Sequence, residues 1–108
     1  MNEFKLSGYV NYPKEVSEKL TTLSLSFRLK KDEPSHFVRV KLIGKAREKY
    51  HANNLEVSDQ IEIQGFVATS SYEKDGQKIR NVDFVATDLT DFKTKKMKQE
   101  ERQEELAF

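Results

Sequence analysis

Between Phe4 and Ala86 apolar residues recur at every second position in five separate runs, and this period restricts the fold more than any other feature. A repeat of two places alternate side chains on opposite faces of an extended chain, so each run predicts a strand with one face toward a core. In the first, Phe4, Leu6, Gly8 and Val10 share a face, with Lys5, Ser7, Tyr9 and Asn11 on the other. The second turns Leu23, Leu25, Phe27 and Leu29 inward, with Thr22, Ser24, Ser26, Arg28 and Lys30 outward. The third, His36 to Ile43, directs Val38, Val40 and Leu42 one way and Phe37, Arg39, Lys41 and Ile43 the other. The fourth buries Ile61, Ile63 and Val67 and leaves Glu62, Gln64, Phe66, Ala68, Ser70 and Tyr72 outside. Asp75-Gly76 then supplies hairpin-turn chemistry, and a fifth strand is expected from about Lys78 to Ala86.

One stretch breaks the alternation. Lys45 to Asn54, KAREKYHANN, is rich in helix formers, sets Ala46 and Tyr50 at helical spacing and ends in Asn-Asn. The predicted order is β-β-β-α-β-β. Strands this short in an open sheet would expose two edges, and closing the sheet removes both. The expected fold class is therefore all-β: a five-stranded Greek-key OB-fold barrel, with one short helix between strands 3 and 4 plugging an end. Composition changes near residue 92, where KTKKMKQEERQEELAF begins. The expected organisation is a domain over 1–92 and a charged flexible tail over 93–108.

Several function classes drop out. There is no cysteine, hence neither disulfide framework nor thiolate chemistry. No apolar run approaches a membrane span, and the opening Met-Asn-Glu-Phe-Lys lacks the basic-then-apolar order of a signal peptide, so a soluble cytoplasmic protein with no membrane partner is expected. His36 and His51 form no metal-ligand pair, no nucleophile elbow surrounds any serine, and the four glycines are scattered singly. Neither an enzyme nor a cofactor is expected. Lys plus Arg number 19 against 18 Asp plus Glu, so no global basic field exists and any role with an anionic partner depends on where the charges sit.

The unusual feature is aromatic residues on the outward faces. Phe37 shares its face with Arg39 and Lys41, while Phe66 and Tyr72 lie opposite Ile61, Ile63 and Val67. Exposed rings on strands call for something to cover them. Rings interleaved with cations suit an unpaired nucleic-acid strand, whose bases stack on the rings at about 1–3 kcal/mol each while cations follow the phosphates. Stacking is expected of Phe37, Phe66 and Tyr72, with Tyr9 as a further candidate. Phosphate contacts are expected of Arg28, Lys30, Arg39, Lys41 and Arg80. The competing account packs these rings against another subunit or against the helix.

Three blocks carry a family resemblance: FKLSGYV, SHFVRVKLIGKAREKY and LEVSDQIEIQGFVATSSYEKDGQK. Together they resemble the bacterial and phage single-stranded DNA-binding proteins over about residues 2 to 90. The third block is the most specific, through Leu55, Ser58-Asp59, Ile61, Ile63, Gly65 and Tyr72 ahead of Asp75-Gly76. The middle block matches an aromatic-x-Arg-Val-x-x-x-Gly-Lys run at Phe37, Arg39, Val40, Gly44 and Lys45. The resemblance implies an OB-fold that binds single-stranded DNA with little sequence preference, often as a homo-oligomer. It sets Phe37 and Tyr72 where the family has base-stacking tryptophans, and Arg39 where a basic residue meets the backbone.

The sequence also departs from that pattern. It has no tryptophan, Ile43 replaces an aromatic, Ser58 stands where the family has glycine, and KKDEPS is a short loop. The end, Glu-Glu-Leu-Ala-Phe, follows almost no linker, so Glu104, Glu105, Leu106 and Phe108 are candidates for a reduced docking peptide for replication or recombination proteins. The expected function is sequence-tolerant binding of single-stranded DNA in replication, recombination or repair, in a form suited to a phage or mobile element. The alternatives are a primosome-like OB protein bridging single strands and replication proteins, and an OB adaptor that binds only proteins.

Overall fold

The computed structural model describes residues 2–97. Strands β1 (Phe4–Ser17), β2 (Leu20–Phe27), β3 (His36–Leu42), β4 (Gln60–Lys74) and β5 (Gln77–Lys93) close into a barrel ordered β1-β2-β3-β5-β4. Helix α1 (Gly44–Ala52) joins β3 to β4. This is the OB architecture expected from the period-two pattern.

The barrel interior is filled by Val10, Leu23, Leu25, Val40, Leu42, Ile61 and Ile63, all buried and all on the predicted inward faces. Each such side chain contributes about 1.5–3 kcal/mol by leaving water. Helix α1 adds Ala46 and Tyr50 to the same core, followed by Leu55. Gly44 turns the chain out of β3 with a φ of 53°, in the left-handed region where a side chain is unfavourable. At the other end Asn54 takes a φ of 50°, and its N–H donates to the His51 carbonyl at 3.1 Å, which stops the helix at the Asn-Asn pair. No helix among the described residues is long and apolar enough to cross a membrane.

Two strands run further than the alternation predicts. Strand β1 continues past Asn11 through a bulge: the register moves from Asn11↔Ser24 to Lys14↔Thr22, and Tyr12 within it has a φ of 50°. Pro13 lies in this bulge, where no ladder donor is needed, so the strand survives a residue that would interrupt regular pairing. The extension is held by Glu15, whose carboxylate accepts hydrogen bonds from Arg47 and, at 3.0 Å, from the Thr21 hydroxyl, and lies 2.8 Å from His51 Nε2. Strand β5 runs to Lys93 rather than stopping near Ala86, because Thr87 and Thr90 are extra residues in its pairing with β4. Each bulge shifts the period by one, which hides the strand from an alternation test.

The expected continuation of β2 does not form. The strand ends at Phe27, so Arg28, Leu29 and Lys30 belong to the loop before β3, and Leu29 is exposed rather than inward. Beyond Val67 and Phe84 the β4–β5 hairpin leaves the barrel, since β1 pairs with β4 only as far as Gly65 and β3 pairs with β5 only from Phe84 onward. Residues 68–83 therefore form a two-stranded arm. At its root a Cβ on Gly65 would sit 1.8 Å from the Val85 carbonyl oxygen, so only glycine permits this strand approach.

Candidate nucleic-acid interface

Register fixes which outward residues are neighbours. On the β1–β2–β3 sheet the directly paired residues form crosswise rows: Tyr9–Ser26–Phe37, then Asn11–Ser24–Arg39, then Lys14–Thr22–Lys41. Paired residues on neighbouring strands lie about 5 Å apart. The middle strand carries only small hydroxyl residues, so β2 forms the floor of a shallow trough between the taller side chains of β1 and β3. Asn11, on the β1 side, is tied to that floor, its Nδ2 donating to Ser26 Oγ at 2.8 Å and to the Tyr9 carbonyl at 3.0 Å.

The wall continues across β5 to β4. Lys41 pairs with Val85, and Val85 with Phe66. On the arm the same outward face carries Ala68, Ser70 and Tyr72, opposite Asp83, Asn81 and Ile79. Phe66 and Tyr72 are about 20 Å apart along β4. Phe37 lies on the same face of β3 as Lys41, four residues before it. The four outward rings are all solvent-exposed, Tyr9 by 43%, Phe37 by 60%, Phe66 by 40% and Tyr72 by 48%.

The charges on this wall are incompletely paired. Arg39 is exposed and has no ion-pair partner among the described residues. Lys41 Nζ lies 3.6 Å from Asp83 Oδ2, a carboxylate that also accepts a hydrogen bond from the Ser70 hydroxyl at 3.2 Å. Such a long, half-exposed pair leaves the cation accessible to a stronger anion. The arrangement thus offers flat π faces and cations along one outer wall.

Of the predicted site residues, Phe37, Arg39, Lys41, Phe66 and Tyr72 come together on this wall, with Tyr9 at its far edge. Arg28 and Lys30 stand in the loop beyond β2, where Arg28 Nε donates to Ser35 Oγ at 3.3 Å. Arg80 is separated from the rest. It pairs with Ser71, and so faces the opposite side of the arm from Tyr72. The expectation placed it with the rings because parity across a hairpin cannot be assigned before the turn is fixed. The tip residues Glu104, Glu105, Leu106 and Phe108 lie outside the described residues. Sequence reading missed Ser26 and Asp83 as neighbours of the site, since only the register brings them beside Phe37 and Lys41.

Three carboxylates elsewhere are held by neighbouring cations. The Glu62 carboxyl is held below its ordinary pKa by the Thr90 hydroxyl, which donates at 2.7 Å, and by Lys5 at 3.2 Å. Lys49, 2.7 Å away, does the same for Asp88. Arg47 is the main cause of the lowering at Glu15. Among the described residues no group of three His, Cys, Asp or Glu side chains is placed to hold a metal ion.

No protein-family model matches the sequence, and no curated protein matches it. Solved structures do match. The mitochondrial single-stranded DNA-binding protein Rim1 of Saccharomyces cerevisiae superposes with a TM-score of 0.70 at 12% identity, over 86% of this chain and 96% of that one. A Plasmodium falciparum single-stranded DNA-binding protein, solved as a complex with single-stranded DNA, gives 0.61 at 16% identity over 87% and 94%. A small single-stranded DNA-binding protein from Mycoplasma pneumoniae gives 0.58 at 14% identity over 84% and 93%. The fold is shared. Its structural neighbours are OB-fold single-stranded DNA-binding proteins, matched over nearly their whole length at identities that carry the fold alone.

Proposed function

We propose that this protein binds single-stranded DNA with little sequence preference, without catalysing a reaction on it. The observation that carries the reading is the shared outward face of Phe37, Phe66 and Tyr72 with Arg39 and Lys41, on a barrel whose structural neighbours bind single strands. Bases stack on the rings, and Arg39 and Lys41 meet phosphates. No ring in the row has a pattern of donors and acceptors dedicated to one base, which favours sequence tolerance. OB barrels generally present this part of the sheet and the β4–β5 connection to oligonucleotides.

A protein of this kind shields exposed strands in replication, recombination or repair. Several copies along one strand, or a homo-oligomer, would serve that role, and the acidic-apolar tip would recruit partner enzymes. Titration of a labelled single strand of about 30 nucleotides, against the matching duplex and at two salt concentrations, tests the reading. Preference for the single strand is expected, with log K falling by about 0.7 per phosphate contact for each unit of log salt. Equal binding to the duplex, or none to either, would reject it and leave the protein-adaptor alternative.

A further inference from the structure

Arg80 lies on the face of the arm that the proposed function leaves unused. That face carries Val67, Thr69, Ser71 and Glu73 on β4, paired with Phe84, Val82, Arg80 and Lys78 on β5. Inside the barrel this parity is core, and beyond it no strand among the described residues lies opposite to cover it. Val82 is accordingly 60% exposed. His36 and Arg80 each stand four residues before the first β3–β5 pair, Val40↔Phe84, and share its inward parity. His36 pairs with Phe27, and their rings stack with centroids 5.6 Å apart and planes 28° from parallel. Beside them a 410 Å³ hollow is lined by Leu29, Glu33, Pro34, Ser35 and His36, with Leu29 74% exposed.

This face combines the same elements as the outer wall: a ring pair, apolar surface, hydroxyls at Thr69 and Ser71, and cations at Arg80 and Lys78. Two carboxylates are nearby. Glu33 lies 3.6 Å from His36 Nε2, and Glu73 stands opposite Lys78 in the ladder. Arg80 itself has no ion-pair partner among the described residues. The two faces are separated only by the edge of a two-stranded arm, so a strand leaving Phe37 or Tyr72 can pass directly from one to the other.

We infer that the Phe27–His36 ring pair, Arg80 and Val82 form a second subsite for the same single strand, engaged only when the strand is long enough to pass round the arm. The inference rests on the proposed single-strand binding at the outer wall. An OB barrel covers about 4–16 nucleotides, so oligonucleotides near the two ends of that range separate the faces. The test measures affinity by anisotropy for strands of about 6 and about 16 nucleotides. It compares the unsubstituted protein with Arg80→Ala, His36→Ala/Arg80→Ala and Phe37→Ala. These positions are exposed, and unchanged circular dichroism and thermal unfolding confirm that each variant is folded.

Arg80→Ala is expected to weaken the longer strand about five-fold and leave the shorter within about two-fold, while lowering the salt slope on the longer strand by about 0.7. The double variant is expected to lose more on the longer strand, and Phe37→Ala to lose on both. Unchanged affinity of the double variant for the longer strand would overturn the second subsite and leave this face to a protein partner. Equal loss on both lengths would overturn it too, by placing Arg80 in the first site. If the unsubstituted protein binds neither strand, the outer-wall reading itself fails, an outcome distinct from the other two.

Discussion

The two outer walls of the barrel are built from the same alternation and use it differently. On the wall formed by β1, the start of β4 and the end of β5, Lys5 meets Glu62, Thr90 donates to Glu62, and Lys49 reaches Asp88. Charges there are matched locally. On the wall formed by β2, β3 and the arm, Phe37 and Tyr72 stand in solvent, Arg39 is unpaired among the described residues, and Lys41 has one long contact with Asp83. A surface that satisfies itself stabilises the fold, whereas one that leaves rings and cations open is suited to a partner. Near-neutral net charge conceals this division, because it averages the two walls.

The largest expected effect abolishes the comparison. Gly65→Ala forces a methyl group against the Val85 carbonyl at the root of the arm, and should cost about 3 kcal/mol in chemical denaturation, affecting both walls. Next, Phe37→Ala and Tyr72→Ala should each weaken single-strand binding by about 1–3 kcal/mol with unfolding midpoints unchanged. Gln64→Ala, on the self-satisfied wall, should leave binding as it is. Arg39→Ala should lower the salt slope by about 0.7 in fluorescence titrations. Asp83→Ala should act oppositely to Arg39→Ala, because it frees Lys41 for phosphate and raises affinity.

Smaller effects separate stability from binding. Ser58 holds a φ of 75° in the turn that brings β4 back to β1, with its N–H donating to the Val10 carbonyl at 2.9 Å. Ser58→Gly removes that strain at some cost in chain entropy, and should raise stability by about 0.5 kcal/mol without changing affinity. The smallest effect is on pH dependence. The Glu15, Glu62 and Asp88 carboxyls are lowered in the folded state, so their contribution is fully present above the ordinary carboxylate pKa and is lost as pH falls through the lowered values. Glu15→Gln should flatten the acid end of a stability–pH profile slightly, because these groups are exposed.

The inward faces were legible in the sequence because one buried face imposes a strict alternation. Val10, Leu23, Leu25, Val40, Leu42, Ile61 and Ile63 follow from it, as do α1 and its Asn-Asn stop. The bulges were not legible. Thr87 and Thr90 insert residues whose hydroxyls donate to the Gln64 carbonyl at 3.5 Å and the Glu62 carbonyl at 3.3 Å, a local solution that no period reports. Pro13 likewise conceals the second half of β1. For the candidate site, exposure of Phe37, Phe66 and Tyr72 could be inferred one strand at a time. The grouping of Phe66 and Tyr72 with Phe37 and Arg39 depends on register between strands far apart in the chain, and the separation of Arg80 from Tyr72 on register across the hairpin.

The most direct test of the division between walls is a map of backbone amide shifts by nuclear magnetic resonance, recorded as a short single strand is added. The account predicts that the perturbed amides fall on β2, on β3 from His36 to Leu42 and on the arm around Ser70 and Tyr72, with those of Lys5, Glu62 and Asp91 unmoved. Shifts concentrated at Lys5, Glu62 and Asp91, or spread evenly around the barrel, would contradict it.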